Sequence, residues 1–255
     1  MFRVISAWSS RTPVVLMYHS VSPYQIDPYR LTVRPERLDQ QMDWLLRRGL
    51  TGVSVWQLLT MRRNGCGAGL VGLTFDDGYA DFALNAVPIL QRYGFTATVF
   101  PVVLRLGQDN GWDADGPRKR LMTPEQLRQV AAAGMEIGSH GLRHMSLPTA
   151  TDAELMEEVG HSRRVLREIT GQDVTGFCYP WGHLDSRAVD QVRSAGYSYG
   201  CAISRSRLTG PYALPRNYIG DADSSPRLWA KGVCHWLGRD YSHPSPHRPV
   251  RADPG

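Results

Sequence analysis

The chain has 255 residues, a formal net charge of +5 and 42% hydrophobic residues, which suits one sizeable domain with a buried core. Its basic residues are mixed with acids, and no basic run alternates with aromatics, so the composition excludes an evident nucleic-acid-binding surface. No apolar run is long enough to cross a membrane, and the N-terminus lacks the apolar core of a signal peptide. We therefore expect a cytoplasmic protein and leave open a peripheral contact with the inner membrane.

Strand-like and helix-like segments alternate along the chain. Apolar, β-rich runs cover residues 14–18, 70–75, 96–103, 135–138, 176–179 and 197–203. Helical patterns lie between them at residues 35–48, 84–93, 124–133, 152–169 and 187–195, several closed by a glycine. This alternation predicts a mostly parallel sheet that closes into an α/β barrel, with functional residues at the carboxyl ends of its strands. We expect one domain over residues 1–241 and a disordered, Pro-rich tail over residues 242–255.

Two adjacent acidic residues, Asp76 and Asp77, follow the strand-like run 70–75. Adjacent residues on a strand point to opposite faces, so the two carboxylates can serve one site only where the backbone turns. Gly78 permits such a turn. A pair of this kind can divide its labour, one carboxylate holding a metal while the other moves a proton. The alternative is an ordinary Asp-Asp-Gly surface turn.

Two histidines, His140 and His144, lie four residues apart after the run 135–138. If the chain enters a helical loop after Ser139, both imidazoles share one face and can bind one ion. Two imidazole nitrogens and one carboxylate oxygen make an open, catalytic metal site, whereas the alternative is a pair of solvated histidines. Between the acidic pair and these histidines, Trp112 is suited either to stacking on a sugar ring or to packing in its loop.

Three short segments together resemble a known family. Residues 74–78 and 139–144 are similar to the first two motifs of the NodB-type polysaccharide deacetylases, carbohydrate esterase family four. Residues 177–182 resemble the third motif, and the order and approximate spacing extend the resemblance from about Val14 to Ile219. The resemblance implies an irregular barrel of about seven strands and a deacetylase that needs a divalent metal, zinc first, with cobalt or nickel as alternatives.

The resemblance also implies roles for individual residues. Asp76 would be the general base. The metal would be held by Asp77, His140 and His144. The backbone N–H of Trp181 would stabilise the oxyanion, with Tyr179 beside it in the substrate site.

The general acid and one arginine depart from the most frequent pattern of the family. Tyr18-His19 resembles an element of the subgroup acting on poly-N-acetylglucosamine, in which the acid histidine comes first, so we expect His19 to be the acid. Capping of the strand end is the alternative for His19. Cys178 stands where the family often has an arginine paired with the base. Arg216 could supply that charge and border the substrate site, although a surface arginine is the default. Gly141 stands where Ser or Thr is common.

The expected function is a metal-dependent hydrolase that removes N-acetyl groups from amino sugars in a polysaccharide or in a lipid- or nucleotide-linked precursor. The same site could instead cleave an O-acetyl ester or a formyl group from a saccharide, because metal-activated water attacks any small acyl carbon. A carbohydrate-binding protein with a degenerate catalytic centre is the alternative from a different class. The four cysteines lack zinc-binding spacing, and we expect Cys178 and Cys201 to be buried thiols.

Overall fold

The computed structural model describes residues 12–238 of the chain. Its strands are β1 Val15–Tyr18, β2 Ser20–Val21, β3 Thr32–Val33, β4 Thr51–Val53, β5 Leu70–Asp77, β6 Thr98–Pro101, β7 Glu136–Ile137, β8 Gly176–Cys178, β9 Tyr199–Cys201 and β10 Asn217–Tyr218. Its α-helices are α1 Pro35–Leu46, α2 Val55–Arg63, α3 Val87–Arg92, α4 Pro124–Ala132, α5 Asp152–Met156, α6 Ser162–Thr170, α7 Ser186–Ser194 and α8 Ser225–Trp236. The predicted tail, residues 242–255, lies outside the described residues, and the boundary at residue 241 stays a prediction.

Seven parallel strands form a closed circuit. The main sheet has the order β10-β1-β5-β6-β7, and β4 adds to the beginning of β5. A bridge between Ser139 and Phe177 connects the end of β7 to β8, which pairs with β9. A second bridge, between Cys201 and Leu214, connects β9 to the segment that leads into β10. The predicted α/β barrel of about seven strands is thereby confirmed.

The central strand, β5, shows why this chain builds a barrel. All its residues from Val71 to Asp77 are buried, as expected for a parallel strand covered on both faces. The helices contribute apolar faces to the larger of two buried apolar clusters. In α4, for example, Leu127 and Val130 are buried, and Thr123 begins the helix in a reciprocal capping box with Gln126.

Several element bounds differ from the prediction. Strand β5 continues through both acidic residues, whereas we predicted that it ends at residue 75. The predicted helix 152–169 is interrupted by a π-helical turn, Glu157–His161, and a second π-helical turn, Phe82–Ala86, precedes α3. Within residues 12–238, no helix is both long and apolar enough to span a bilayer.

Candidate active site

The polar residues singled out in the sequence meet at one end of the barrel. His19 directly follows β1, Asp76 and Asp77 end β5, and His140 follows β7 through the bridge at Ser139. Because parallel strands place their carboxyl ends at the same rim, segments distant in sequence converge there. A recess of about 70 Å³ at this rim, the catalytic recess, is lined by these residues together with others: Met17, Tyr29, Leu31, Trp112, Asp113, His144, Tyr179, Trp181, Gly182 and Ile203.

Asp77, His140 and His144 direct their polar atoms to a common point. One carboxylate oxygen, Oδ1 of Asp77, lies 3.4 Å from Nε2 of His140 and 3.4 Å from Nε2 of His144. All three residues are buried. The predicted helical loop after Ser139 is wrong, because residues 139–146 form no helix. Positive φ angles at Asp77 (69°), Gly141 (80°) and His144 (60°) instead turn the backbone so that the side chains meet.

The hydrogen bonding of His140 shows that this cluster fits a cation. Its Nδ1 lies 2.8 Å from the backbone carbonyl oxygen of Cys178, and a carbonyl can only accept, so Nδ1 carries the proton. In a neutral imidazole, Nε2 then presents a lone pair towards the carboxylate of Asp77. Two electron-rich atoms at this distance repel each other unless a proton or a metal ion lies between them. A backbone carbonyl that fixes the tautomer in this way is the usual second partner of a metal-binding histidine.

Asp76 is held by a buried arginine. The two terminal nitrogens of Arg216 donate to its two carboxylate oxygens at 2.6 and 2.8 Å, a bidentate ion pair. Burial alone would raise the pKa of Asp76, but the charge and hydrogen bonds of Arg216 bring it below its ordinary value. Arg216 is therefore not the surface residue of the default reading. It contacts Asp76 rather than the open part of the recess, so its predicted role in binding substrate has no support in these contacts.

Cys178 makes room for this arrangement. Its sulfur accepts a hydrogen bond from Arg216 at 3.1 Å and lies 3.6 Å from Oδ2 of Asp76. Cys178 and Cys201 are both buried free thiols, as predicted. Burial raises the pKa of Cys178 to about 11, so at neutral pH this thiol is uncharged. The small side chain at the third motif thus leaves space for a guanidinium that arrives from the segment before β10.

His19 faces the same carboxylate from the other side. Its Nε2 lies 3.9 Å from Oδ2 of Asp76, and its side chain is 13% exposed. Nδ1 has no hydrogen-bond partner among the described residues, which argues against the strand-capping alternative. The N–H of Val21 donates to the carboxylate of Asp81 at 3.0 Å, which anchors the segment after His19 to the loop that follows β5. Burial lowers the pKa of His19, although the nearby Asp76 and Asp77 carboxylates oppose the shift.

Glu158, a residue that the sequence did not single out, supports the loop between the two histidines. It is fully buried on the π-helical turn, and its Oε2 accepts the N–H groups of Leu142 at 2.7 Å and Arg143 at 3.1 Å. A Cβ at Gly141 would lie 2.9 Å from this oxygen, and the φ of Gly141 is positive. The absence of Ser or Thr at position 141 thus goes together with a carboxylate that occupies the space. A buried glutamate on a helix carries no distinguishing local sequence signal.

Three aromatic residues border the recess in different ways. Trp181, with a φ of 60°, places its ring edge-on against His144, with ring centroids 4.5 Å apart. Trp112 stacks on the other side of His144, with centroids 4.4 Å apart and planes inclined by 22°. Tyr179 lines the recess, but its hydroxyl donates to the backbone carbonyl of Tyr212 at 2.7 Å. The hydroxyl proton of Tyr179 is therefore used within the fold, and its predicted contact with substrate stays a prediction.

Comparison with known families identifies this arrangement. Residues 64–200, more than half of the chain, match the model of the family described as polysaccharide deacetylase. The chain belongs to the polysaccharide deacetylase family. The deacetylase is therefore a hydrolytic enzyme, as the resemblance implied.

Two sequence relatives cover most of the deacetylase. YxkH of Bacillus subtilis (strain 168) is 30% identical over 208 residues, which are 79% of this chain and 69% of YxkH. The poly-beta-1,6-N-acetyl-D-glucosamine N-deacetylase of Staphylococcus aureus (strain MSSA476) is 23% identical over 218 residues, 80% of this chain and 73% of that enzyme.

Solved structures share the fold of the deacetylase. The Streptococcus pyogenes deacetylase PplD has a TM-score of 0.72 at 24% identity, with 85% of this chain and 96% of PplD covered. IcaB from Ammonifex degensii also has a TM-score of 0.72, at 22% identity, with 86% and 96% covered. At these identities the likeness concerns the fold, which is the NodB-type barrel that we expected.

Proposed function

We propose that the deacetylase hydrolyses the N-acetyl group of N-acetylglucosamine units in a polysaccharide of the poly-β-1,6 type, with a divalent metal, zinc, at its centre. The observation that carries the proposal is the division between two adjacent carboxylates. Asp77 meets two imidazole nitrogens, whereas Asp76 is paired with Arg216 and faces His19. One carboxylate is thus placed to hold an ion while the other remains free of the ion to exchange a proton.

Asp77, His140 and His144 would hold the metal. Two neutral imidazoles and one carboxylate leave further coordination positions open, the donor set of catalytic rather than structural zinc sites. A divalent ion bound there would act as a Lewis acid, polarising the amide carbonyl and lowering the pKa of water. The buried surroundings of the three ligands strengthen every electrostatic interaction at the site.

The remaining residues divide the proton transfers. Asp76, kept ionised by Arg216, takes a proton from the attacking water. His19, which faces Asp76, donates a proton to the leaving nitrogen. The N–H of Trp181 donates to the carbonyl oxygen as negative charge develops there, which stabilises the transition state more than the substrate.

Two observations support an amino-sugar polymer as the substrate. The Staphylococcus aureus relative, by its name, acts on poly-β-1,6-N-acetyl-D-glucosamine and aligns with 80% of this chain. The guanidinium missing from the third motif is supplied by Arg216, which removes the main argument for a degenerate, sugar-binding protein.

Acetate release from β-1,6-linked N-acetylglucosamine oligomers tests the proposal. Protein stripped with a chelator should be inactive, and zinc should restore turnover, with cobalt and nickel tested in parallel. Release of acetate by the stripped protein would overturn the metal dependence. No release from β-1,6-linked oligomers with any of the metals would overturn the proposed substrate, and release from β-1,4-linked oligomers alone would assign a different linkage. An O-acetylated or N-formylated sugar assayed alongside separates the other acyl groups.

Replacing His19 by Gln should affect amides far more than activated esters. An amine leaves poorly without protonation, so N-acetyl hydrolysis should fall by about 10²–10⁴-fold. The 4-nitrophenolate ion of 4-nitrophenyl acetate needs no proton to leave, so ester hydrolysis should fall by much less. Steady-state rates on both substrates give the ratio that decides the role. An equal fall on amide and ester would exclude His19 as the general acid.

A further inference from the structure

One carboxylate in the catalytic recess has no part in the chemistry proposed above. Asp113 is only 3% exposed, yet it borders the recess together with Asp77 and His144. Asp113 lies directly after Trp112, in the loop that connects β6 to α4. The antiparallel bridges Asp109–Arg120 and Tyr79–Leu121 close this loop against the end of β5. These backbone bridges therefore hold Asp113 beside the catalytic residues.

The hydrogen bonds of Asp113 are one-sided. Its Oδ2 accepts from the amide nitrogen of Asn110 at 3.2 Å and from the hydroxyl of Tyr79 at 3.4 Å. Its Oδ1 accepts from no group among the described residues, and Asp113 lines the recess. Oδ1 is therefore the oxygen of this carboxylate that remains for a ligand. No arginine or lysine within the described part of the chain forms an ion pair with this carboxylate, although Arg118 influences it at longer range.

An acceptor of this kind requires a donor from the ligand. A carboxylate that is shielded from water gains more from a hydrogen bond than an exposed one, because its hydration is already lost. Burial, the largest cause, and the negative charge of Asp77 raise the pKa of Asp113 to about 6, which reflects the same lack of compensation. At neutral pH the group is mainly ionised and accepts hydrogen bonds only.

The size of the recess indicates which part of a glycan reaches Asp113. A space of about 70 Å³ holds several water-sized groups, each needing about 10–15 Å³. It therefore accommodates the acetamido group and the adjoining edge of one sugar ring rather than a longer saccharide. The donors on that edge are the C3 hydroxyl, which neighbours the acetamido group at C2, and the C4 hydroxyl one carbon further along the ring. In a 1,6-linked unit the hydroxyls at C3 and C4 are both free.

We infer that Asp113 recognises the sugar unit that carries the acetyl group, and that its Oδ1 accepts a hydrogen bond from the C3 or C4 hydroxyl of that unit. Asp113 is thus a specificity-determining residue for a pyranose with a free hydroxyl on that edge. The inference rests on the proposed function, since it assumes that the acetamido group enters the catalytic recess. Trp112, which precedes Asp113 and stacks on His144, fixes this loop against the metal-binding residues. Sugar recognition and catalysis therefore share the same structural support.

Equilibrium binding tests Asp113 separately from turnover. Zinc-loaded Asp76→Asn protein, which lacks the general base, is titrated with a β-1,6-linked N-acetylglucosamine oligomer and with its 3-deoxy and 4-deoxy analogues. The intrinsic tryptophan fluorescence, to which Trp112 and Trp181 beside the recess contribute, reports binding. With Asp113 present, at least one analogue should bind about 10- to 100-fold more weakly, the value of a hydrogen bond to a charged group. With Asp113→Asn added, the penalty for that same analogue should shrink to about threefold or less.

The comparison needs a matched control and a fold-preserving variant. Asp109→Asn changes an acid of the same loop that is about half exposed and does not border the recess, so the analogue penalties should stay as they are. Asn at position 113 keeps the shape of the side chain, and zinc affinity by chelator competition checks that the loop still packs on His144.

The outcomes separate the inference from the proposed function. Equal deoxy penalties with and without Asp113, the absence of any penalty, or no binding of the oligomer by the Asp113-containing protein would each overturn the reading role. Failure of the wild-type enzyme to release acetate from the same oligomer would overturn the proposed function instead. A non-additive penalty centred on one hydroxyl supports the inference, and a merely structural role of Asp113 would not produce it.

Discussion

Replacing His140 by Ala or Asp77 by Asn is expected to remove zinc binding and acetate release together. Each substitution takes away one of three ligands, so the loss of zinc affinity should exceed the 10- to 100-fold cost of an outer-shell partner. Asn is chosen at position 77 because the φ of 69° there is tolerated by Asn better than by Ala. Chelator competition measures the affinity, and acetate release measures turnover on the same preparations.

Asp76→Asn is the matched control, since it changes the adjacent carboxylate. The variant should keep zinc but lose about 10²–10⁴-fold in kcat, because the base is gone while the ligands remain. The contrast between the two neighbours is the test of their separate roles. Full activity in the His140 variant, or loss of zinc in the Asp76 variant, would contradict the assignment.

The sequence was informative where polar site residues directly follow, or end, a predicted strand. Asp76, Asp77, His140 and His19 all follow apolar runs, and parallel strands bring their carboxyl ends to one rim. The convergence of these residues could therefore be predicted from order and spacing. Such a pattern needs only local hydrophobicity and topology, both of which a single sequence displays.

The way in which the side chains converge could not be predicted. We expected a turn permitted by Gly78 after the acidic pair and a helical loop between the histidines. The structure places Asp77 and His144 themselves in the left-handed region, an unfavourable conformation for residues other than glycine. Tertiary contacts impose that conformation, among them the hold of Glu158 on the loop between the histidines. Local propensity does not contain such contacts.

The sequence also did not show which charged side chains the fold buries beside the site. Asp113 and Glu158 resemble ordinary loop and helix acids until the fold encloses them. Arg216 could be proposed only because the third motif lacks an arginine, and nothing local showed that its guanidinium would reach Asp76. The contact joins residues 140 positions apart. Distances of this kind along the chain are decided by the closure of the barrel.

Arg216→Ala should both destabilise the deacetylase and inactivate it. The substitution leaves the buried carboxylate of Asp76 without a counter-charge, a change that costs about 3–5 kcal/mol of unfolding free energy. In the wild type, Arg216 holds the pKa of Asp76 below its ordinary value, so this stabilisation is present at neutral pH and is lost as the pH falls below about 4. Without Arg216, only the smaller influence of His19 and His140 opposes burial, so the pKa of Asp76 should rise above its ordinary value.

The sign of the pH dependence follows from this reversal. Protonated Asp76 needs no counter-charge, so the free energy lost in Arg216→Ala should be smaller at pH 5 than at pH 8. Urea unfolding of metal-stripped wild-type and variant protein at both pH values measures the difference. A penalty that is the same at pH 5 and pH 8 would show that Arg216 stabilises the fold by packing and not through the charge of Asp76.

A second substitution asks whether the position of the guanidinium matters or only its presence. The sulfur of Cys178 lies 3.1 Å from Arg216 and 3.6 Å from Asp76, so an arginine at position 178 would enter the space that Arg216→Ala vacates. Arg216→Ala with Cys178→Arg should therefore recover part of the activity and part of the stability at neutral pH. Cys178→Arg alone should be harmful, because two guanidiniums would compete for one carboxylate. Recovery in the double variant, measured by acetate release, would mean that the chain keeps a pair of base and arginine and supplies the guanidinium from the segment before β10 instead of from the third motif.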